Sequence, residues 1–343
     1  MLTSTIARIS QREDLTREHV SRVFEEIFAG RATQAQIAAL LIALRMKGET
    51  VEEVTGAALA LRQRACPLRR PAVSVVLDTC GTGGDGLGTF NISTAVALVA
   101  AAAGVTVAKH GNGGISSRCG SADVLKAAGV RLDAPVERVE RCLDELGIAF
   151  LLAPMFHPVM REVASVRREL GVRSIFNILG PLANPAAANC QLVGVYAASL
   201  VPTVAGALSA LGTTRSLVVH GDDGLDEISP CGATSAALVE GGKVTTLTLY
   251  PEDADVERMP LAALRGEGPT ENARMLEEVL AGKKGPLREA VVLNAAAALW
   301  VAGASAGLRE GAAEARRVLD EGSAARKLTA LAALTSRTDE EPS

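Results

Sequence analysis

The sequence predicts an α/β protein in two parts: a small all-helical N-terminal domain, then a larger domain with a mostly parallel central sheet. Three observations predict it. Residues 1–66 show apolar residues only at helical spacing. From residue 73 onward, short apolar runs alternate with amphipathic stretches, the pattern of strand–helix–strand units. At 343 residues the chain is long enough for two domains and a sizeable core.

The helical part starts with a stretch from about Thr16 to Ala29 that stops at Gly30. Thr33 and Gln36 then form a capping-box pair, and Ile37, Leu40, Leu41 and Leu44 fall on one helical face. Gly48 offers a C-terminal stop. Thr50 and Glu53 repeat the box, with Val54, Ala57, Ala58 and Leu61 on one face. Three short amphipathic helices cannot bury such faces alone, so they need the rest of the chain or a second subunit. Pro67 and Pro71, flanking Arg69 and Arg70, mark the crossing near residue 66.

Beyond it, Val73–Leu77, Val105–Ala108, Ile148–Leu152, Gln191–Tyr196 and Ser216–His220 read as strands. Helices are expected near 93–103, 121–128, 136–146, 158–170 and 200–211. Thr234–Glu240 and Val244–Tyr250, joined through Gly241-Gly242, read as a hairpin. Helical sequence near 270–281, 287–302 and on to about 334 closes the domain, which spans 73–335. The polar end, 336–343 and Thr335 before it, is expected to fray. No internal repeat is visible.

Composition excludes several classes. Net charge is −4, which argues against general nucleic-acid binding. Six cysteines show no CxxC pair and no zinc spacing, so reduced thiols in a cytoplasmic protein are expected. The N-terminus carries charges too early for a secretory signal. The most apolar run, Ala95 to Val107, is too short to span a bilayer. Aromatics make up only 3%, so the core must be built from Ala, Val and Leu.

The chemistry concentrates in DTCGTGGDGLGTFNISTA at 78–95 and in KHGN at 109–112. A strand, a loop with few bulky side chains and a helix start together suit an oxyanion: glycines admit close backbone approach and the helix end adds a favourable dipole. Ser93 and Thr94 can donate hydroxyls, and Asp85 could hold a metal bridged to phosphates. The phosphate loop with a terminal Gly-Lys pair is absent. Gly81, Gly83 and Gly86 match a dinucleotide fingerprint, but Lys109 stands where such a site would want an acid. Lys109, His110, Gly111 and Asn112 close the next strand, so two strand ends face one crevice. Ser116, Ser117 and Ser121 follow in a small polar turn. Asp226-Glu227, in GDDGLDEIS after another strand, could ligate Mg2+, although read alone the pair fits an acidic surface turn better. Arg167 and Arg168, late in a helix that ends at Gly171, read alone as complements to the helix end.

GTGGDGLGTFNIST, KHGNxxxSSxxGSAD, RRELGVRSIFNILGPLANP and the acidic pair of GDDGLDEIS resemble anthranilate phosphoribosyltransferases over nearly the whole chain. The resemblance implies the nucleoside phosphorylase/phosphoribosyltransferase type of fold, with part of 165–185 joining the 1–66 helical domain and the cleft lying between domains. It implies transfer of the phosphoribosyl group from phosphoribosyl pyrophosphate to the amine of anthranilate. The products would be N-(5-phosphoribosyl)anthranilate and pyrophosphate, in tryptophan biosynthesis. Gly81, Gly84, Asp85, Thr89, Asn91 and Ile92 would then bind phosphoribosyl pyrophosphate. Ser93, Thr94, Lys109, His110, Gly111 and Asn112 would join them, with Ser116, Ser117 and Ser121. Gly81, Asn112, His157 and Arg167 would meet anthranilate, with Arg167 on its carboxylate. Ser93, Asp226 and Glu227 would hold Mg2+. No residue is assigned as general base, because an aryl amine carries its own lone pair. The resemblance also implies a homodimer, placed through the helical domain. Two alternatives stand beside this: a transferase or phosphorylase with another acceptor, and a non-catalytic paralogue that binds nucleic acid. One departure is plain. The family usually has arginine after KHGN, whereas this chain has Gly113, which predicts a looser loop and weaker phosphate attraction.

Overall fold

The computed structural model describes residues 1–114 and 119–337. The chain opens with four helices: α1 (Leu2–Ser10), α2 (Arg17–Phe28), α3 (Gln34–Lys47) and α4 (Val51–Gln63). The first was not expected from the sequence; polar residues are interleaved with Leu2, Thr5 and Ile9, which are buried. Both capping boxes form. Thr33 accepts from the Gln36 amide and Thr50 from the Glu53 amide, and each partner side chain reaches back. Glu53 does more, because it is buried and also accepts from the Leu15 amide at 3.0 Å and from Lys47 at 3.0 Å. A buried carboxylate survives only with such partners.

The α/β part then runs β1 (Leu77–Asp78), α5 (Ile92–Ala102), β2 (Val107–Gly111), α6 (Ser121–Ala127), α7 (Val136–Arg141) and β3 (Ile148–Leu152). Next come α8 (Ala153–Phe156), α9 (Arg161–Leu170), α10 (Phe176–Leu179), β4 (Cys190–Gly194), α11 (Leu200–Ala210) and β5 (Arg215–Gly221). The hairpin β6 (Thr234–Glu240) and β7 (Lys243–Leu249) follows, then α12 (Pro269–Leu280), α13 (Pro286–Val301), α14 (Leu308–Asp320) and α15 (Ser323–Ser336). The seven strands make one sheet in the order β3-β2-β1-β4-β5-β6-β7. Neighbours from β3 to β5 are parallel, and β6 and β7 are antiparallel.

Three local expectations need correction. Of the expected strand Val73–Leu77 only Leu77 pairs in the sheet, and the strand extends to Asp78 instead, because residues 72–74 bend before it. The second strand reaches Gly111, so Lys109 and His110 lie within it rather than after it. Thr335 does not fray: it is buried, and its hydroxyl accepts from the Arg131 amide at 3.1 Å. Residues 338–343 lie outside the described residues.

The sheet divides the core. Alternate residues of each strand face opposite sides, as the two-residue period requires. Leu192, Leu217 and Val219 join α5, α13, α14 and α15 on one side. Val193, Val218 and Val239 face the other, where they share one core with α2, α3, α4, α9, α10 and α11. Ile37, Leu40, Leu41 and Leu44 are therefore buried within a single chain. Among the described residues, no helix is long and apolar enough to cross a membrane.

Helix α2 crosses α4 at Gly56, where a Cβ would stand 2.4 Å from the Arg17 carbonyl oxygen. That separation leaves no room for a side chain, so the helices must part. Gly56→Ala should destabilise the protein by about 1–3 kcal/mol in urea titrations. Val should cost more than Ala, which is the check on the steric cause.

Candidate active site

The site gathers at the carboxyl ends of the parallel strands. β1 and β4 lie side by side there, although they are far apart in sequence, which is the switch point where open α/β sheets collect ligands. The glycine loop leaves β1 at Gly81, where a Cβ would stand 3.1 Å from Gly194 O and 3.5 Å from Asp226 Oδ2. The Thr82 amide donates to Gly194 O at 2.8 Å and the Tyr196 amide to Thr82 Oγ1 at 3.1 Å. Gly194 itself lies under Asp226, whose carbonyl oxygen would sit only 1.5 Å from a Cβ. Three strand ends are thus packed backbone to backbone. Gly83 and Gly84 follow at φ 63° and 82°, a path that L side chains rarely take.

Lys109 is buried and reaches across β1. Its Nζ lies 3.3 Å from Thr79 O and 3.3 Å from Ser93 Oγ. Thr79 Oγ1 in turn donates to Ser93 O at 2.9 Å. The Ser93 amide donates to Glu227 Oε1 at 3.1 Å. This bond revises the expected use of the helix start. The Ile92 amide already meets Phe90 O and the Thr94 amide Asn91 O, so a carboxylate of the chain itself occupies the first turn of α5. The Ile92 and Thr94 side chains are buried and face away from solvent.

The acids here are mutually repulsive. Burial, then the charge of Asp85, pushes the Asp226 carboxyl up to about 7. Burial, then Asp226, holds Glu227 well above the usual carboxylate range, with Lys109 opposing. Asp85 accepts from the Leu87 amide through Oδ1, while its Oδ2 is buried without a donor. Three carboxylates and one hydroxyl, Ser93, offer only oxygen, the donor set of a hard divalent cation. The group fits Mg2+.

The other half of the site combines one buried acid, two uncharged imidazoles and a guanidinium. Asp78, raised to about 6 by burial against the pull of Lys109, accepts from the His110 amide and from Asn184. His110 Nδ1 lies 3.0 Å from Gly180 O and His157 Nε2 2.8 Å from Ala183 O. Both carbonyls only accept, so those nitrogens carry the protons. His110 Nε2 and His157 Nδ1 are left as bare, buried acceptors. The rings meet edge to face at 5.2 Å. Burial, and then His157, pulls His110 down to about 3, so it is uncharged at neutral pH. Arg167 stacks over Phe176 at 5.5 Å, and no carboxylate among the described residues pairs with it. The run 176–183 therefore touches Arg167, His110 and His157 in turn.

Other expected residues fall as follows. Asn91 bridges Cys119 O and Asn272. Thr89 pairs in a bridge with Arg265. Gly111 packs on Ser121 Oγ and Phe150, and Ser121 Oγ donates to Asn112 O. Gly84 lies in the glycine loop. Ser116 and Ser117 lie outside the described residues. Gly113 is less free than expected: its amide donates to Asn112 Oδ1 at 2.8 Å, and that of Gly114 to Asp123 Oδ2 at 2.7 Å. Sequence reading missed Asn184, Asn272 and Asp123; only the GPLANP and GSAD runs pointed near two of them.

A helical bundle set against a sheet of this topology, with a glycine loop facing paired acids, defines a glycosyltransferase. Residues 3–65 match the helical bundle domain of the glycosyl transferase family, and residues 73–325 match its a/b domain. Anthranilate phosphoribosyltransferase of Myxococcus xanthus is 53% identical over 331 residues, covering 96% of this chain and 98% of its own. The crystal structure of the Thermus thermophilus enzyme of the same name superposes with a TM-score of 0.91 at 46% identity, covering 97% and 99% of the two chains. That of Saccharomyces cerevisiae, in complex with PRPP and Mg, gives 0.87 at 29% identity, covering 97% and 98%. The chain belongs to the anthranilate phosphoribosyltransferase family.

The raised acids make stability depend on pH. A carboxyl with a folded-state pKa above its unfolded value stabilises below the unfolded value and loses that stability as pH rises through the folded one. For Asp226 that window runs from the ordinary 3.8 up to about 7. Asp226→Asn with Glu227→Gln should therefore melt about 5 °C above wild type at pH 8 in metal-free buffer. The gap should close toward pH 4; a pH-independent gap would contradict the repulsion.

Proposed function

We propose that this protein transfers the phosphoribosyl group of phosphoribosyl pyrophosphate to the amine of anthranilate, in tryptophan biosynthesis. The C1–O bond to pyrophosphate breaks, the C1–N bond forms, and one amine proton is lost. The observation that carries this reading is the half-buried Asp226–Glu227 pair at the glycine loop, with Glu227 bonded to the Ser93 amide and Lys109 bonded to the Ser93 hydroxyl. Those two acids and Ser93 would hold Mg2+, which when bound offsets charge on the departing pyrophosphate.

Each half of the site has its own task. Lys109 brings a desolvated positive charge to the phosphate side, where a charge acts more strongly than in water. The glycine loop, with Gly81, Gly84, Asp85, Thr89 and Asn91, and the segment Gly111, Asn112 and Ser121 shape that side. Ser116 and Ser117 are proposed with them from sequence alone. The acceptor side is served by Arg167, whose guanidinium burial holds below its ordinary basicity and leaves without an acid partner. An incoming carboxylate would supply one, bidentately. His157, expected on the anthranilate side, presents a bare imidazole nitrogen that suits an N–H bond of an aryl amine; His110, expected on the phosphoribosyl side, presents a second one beside it and carries no charge for a phosphate. Their low basicity agrees with a nucleophile that needs no strong base. Orientation of that amine behind C1 contributes up to roughly 7–11 kcal/mol when geometry is near attack.

The test is loss of anthranilate fluorescence on adding phosphoribosyl pyrophosphate and Mg2+. Wild type should consume anthranilate, and Asp226→Asn with Glu227→Gln should abolish most of the turnover. Arg167→Ala should raise KM for anthranilate at least tenfold and that for phosphoribosyl pyrophosphate far less. Equal losses would return Arg167 to a helix-end role.

The assembly proposed is a two-fold homodimer through the helical domain. Met46 on α3 and Val172 just after α9 are 72% and 46% exposed, on elements that pack together. Light scattering should give twice the chain mass, and Met46→Glu with Val172→Glu should shift it to the monomer.

A further inference from the structure

Asp123 sits in the first turn of α6. An acid there commonly caps its own helix by taking one amide, and Asp123 does so, accepting from Gly120 at 2.8 Å through Oδ2. The same oxygen also accepts from Gly114 at 2.7 Å. Helix capping does not call for that second bond. It ties the chain just after KHGN to the start of α6. The surrounding contacts serve the same end. Asn112 O accepts from the Ala122 amide at 3.1 Å and from Ser121 Oγ at 3.3 Å. A Cβ on Gly120 would stand 2.4 Å from Gly114 N, 2.5 Å from Gly113 C and 2.6 Å from Asn112 O. Residues 112–114 are thus laid directly on the backbone of residue 120.

We propose that Asp123 is a positioning residue for the phosphoribosyl side of the site, acting through Asn112 and the Gly113–Gly114 backbone. The proposal rests on the function given above. Lys109 and His110 do not need it, because they are held by the pairing of β2 with β3 and by Thr79, Ser93 and Asp78. The metal-side acids and Arg167 stand on other elements. Loss of Asp123 should therefore act first on the phosphoribosyl side, with only a smaller effect on anthranilate through Asn112. Gly113 belongs to the same device. A Cβ there would start 3.3 Å from Asp123 Oδ1, so any side chain at 113 would press on this carboxylate.

The experiment compares wild type, Asp123→Ala, Asp123→Asn and Gly120→Ala in the anthranilate fluorescence assay, varying each substrate in turn. Two hydrogen bonds to a charged acceptor are lost in Asp123→Ala, so KM for phosphoribosyl pyrophosphate should rise at least about tenfold. KM for anthranilate and the Mg2+ dependence should change less than about threefold by the same scale. Asp123→Asn keeps a carbonyl acceptor and should recover most of the loss. Gly120→Ala should copy the Asp123→Ala pattern with the carboxylate intact. If Asp123→Ala does not fold, Asp123→Asn against Asp123→Ser carries the same comparison. Unchanged KM for phosphoribosyl pyrophosphate, or equal rises for both substrates, overturns the positioning role. Wild type that consumes no anthranilate overturns the proposed reaction instead.

Discussion

The site depends on crowding like charges together at the carboxyl ends of the strands. Asp85, Asp226 and Glu227 converge there, and Lys109 is the cation that faces them. Burial raises the cost of every ionised acid, and Asp226 rises to about 7 as a result. Such a cluster cannot be held by its own attractions. It is held by geometry: Gly81 and Gly194 let three strand ends approach without side chains between them, and the Ser93 amide fixes Glu227. Bulk at either glycine would spread the strands and relax the repulsion that makes the acids ready for a cation.

The parallel topology explains why these residues meet. β1, β2, β4 and β5 all end at the same edge, so the segments 78–94, 109–114, 194–196 and 221–227 converge although the sequence separates them widely. Every crossover helix lies on a face, leaving that edge open. The antiparallel pair β6 and β7 extends the sheet without adding a loop to the crevice from a parallel strand end.

Much of this was legible in the sequence because it is local. The Thr33–Gln36 and Thr50–Glu53 boxes formed as spaced, and the glycine loop and KHGN lie where strand–helix alternation puts them. What was hidden depends on distant partners. Nothing local says that Glu227 caps α5, that Asn184 meets Asp78, or that Gly56 lies against Arg17. α1 was missed because its short apolar stripe is interleaved with polar residues and its burial depends on α3. The helical faces were rightly read as needing partners, yet a single chain supplies those partners through α9, α10 and α11.

The run 176–183 joins the two halves of the molecule to the chemistry. Phe176 is buried beside Phe24 and Phe28 of α2, with ring centroids 5.6 and 6.3 Å away, and carries Arg167 above it. Gly180 O and Ala183 O set the tautomers of His110 and His157, and Leu182 O accepts from Arg62 of α4 at 2.6 Å. One short segment, packed into the helical core, therefore orients the guanidinium and both imidazoles. The half of the site with Arg167, His110 and His157 is consequently set by packing against the helices, whereas the half with Lys109 and the paired acids is a product of strand topology. A change that shifts the helical bundle on the sheet would act first on Arg167, His110 and His157, because these three groups answer to carbonyls and rings the bundle holds in place.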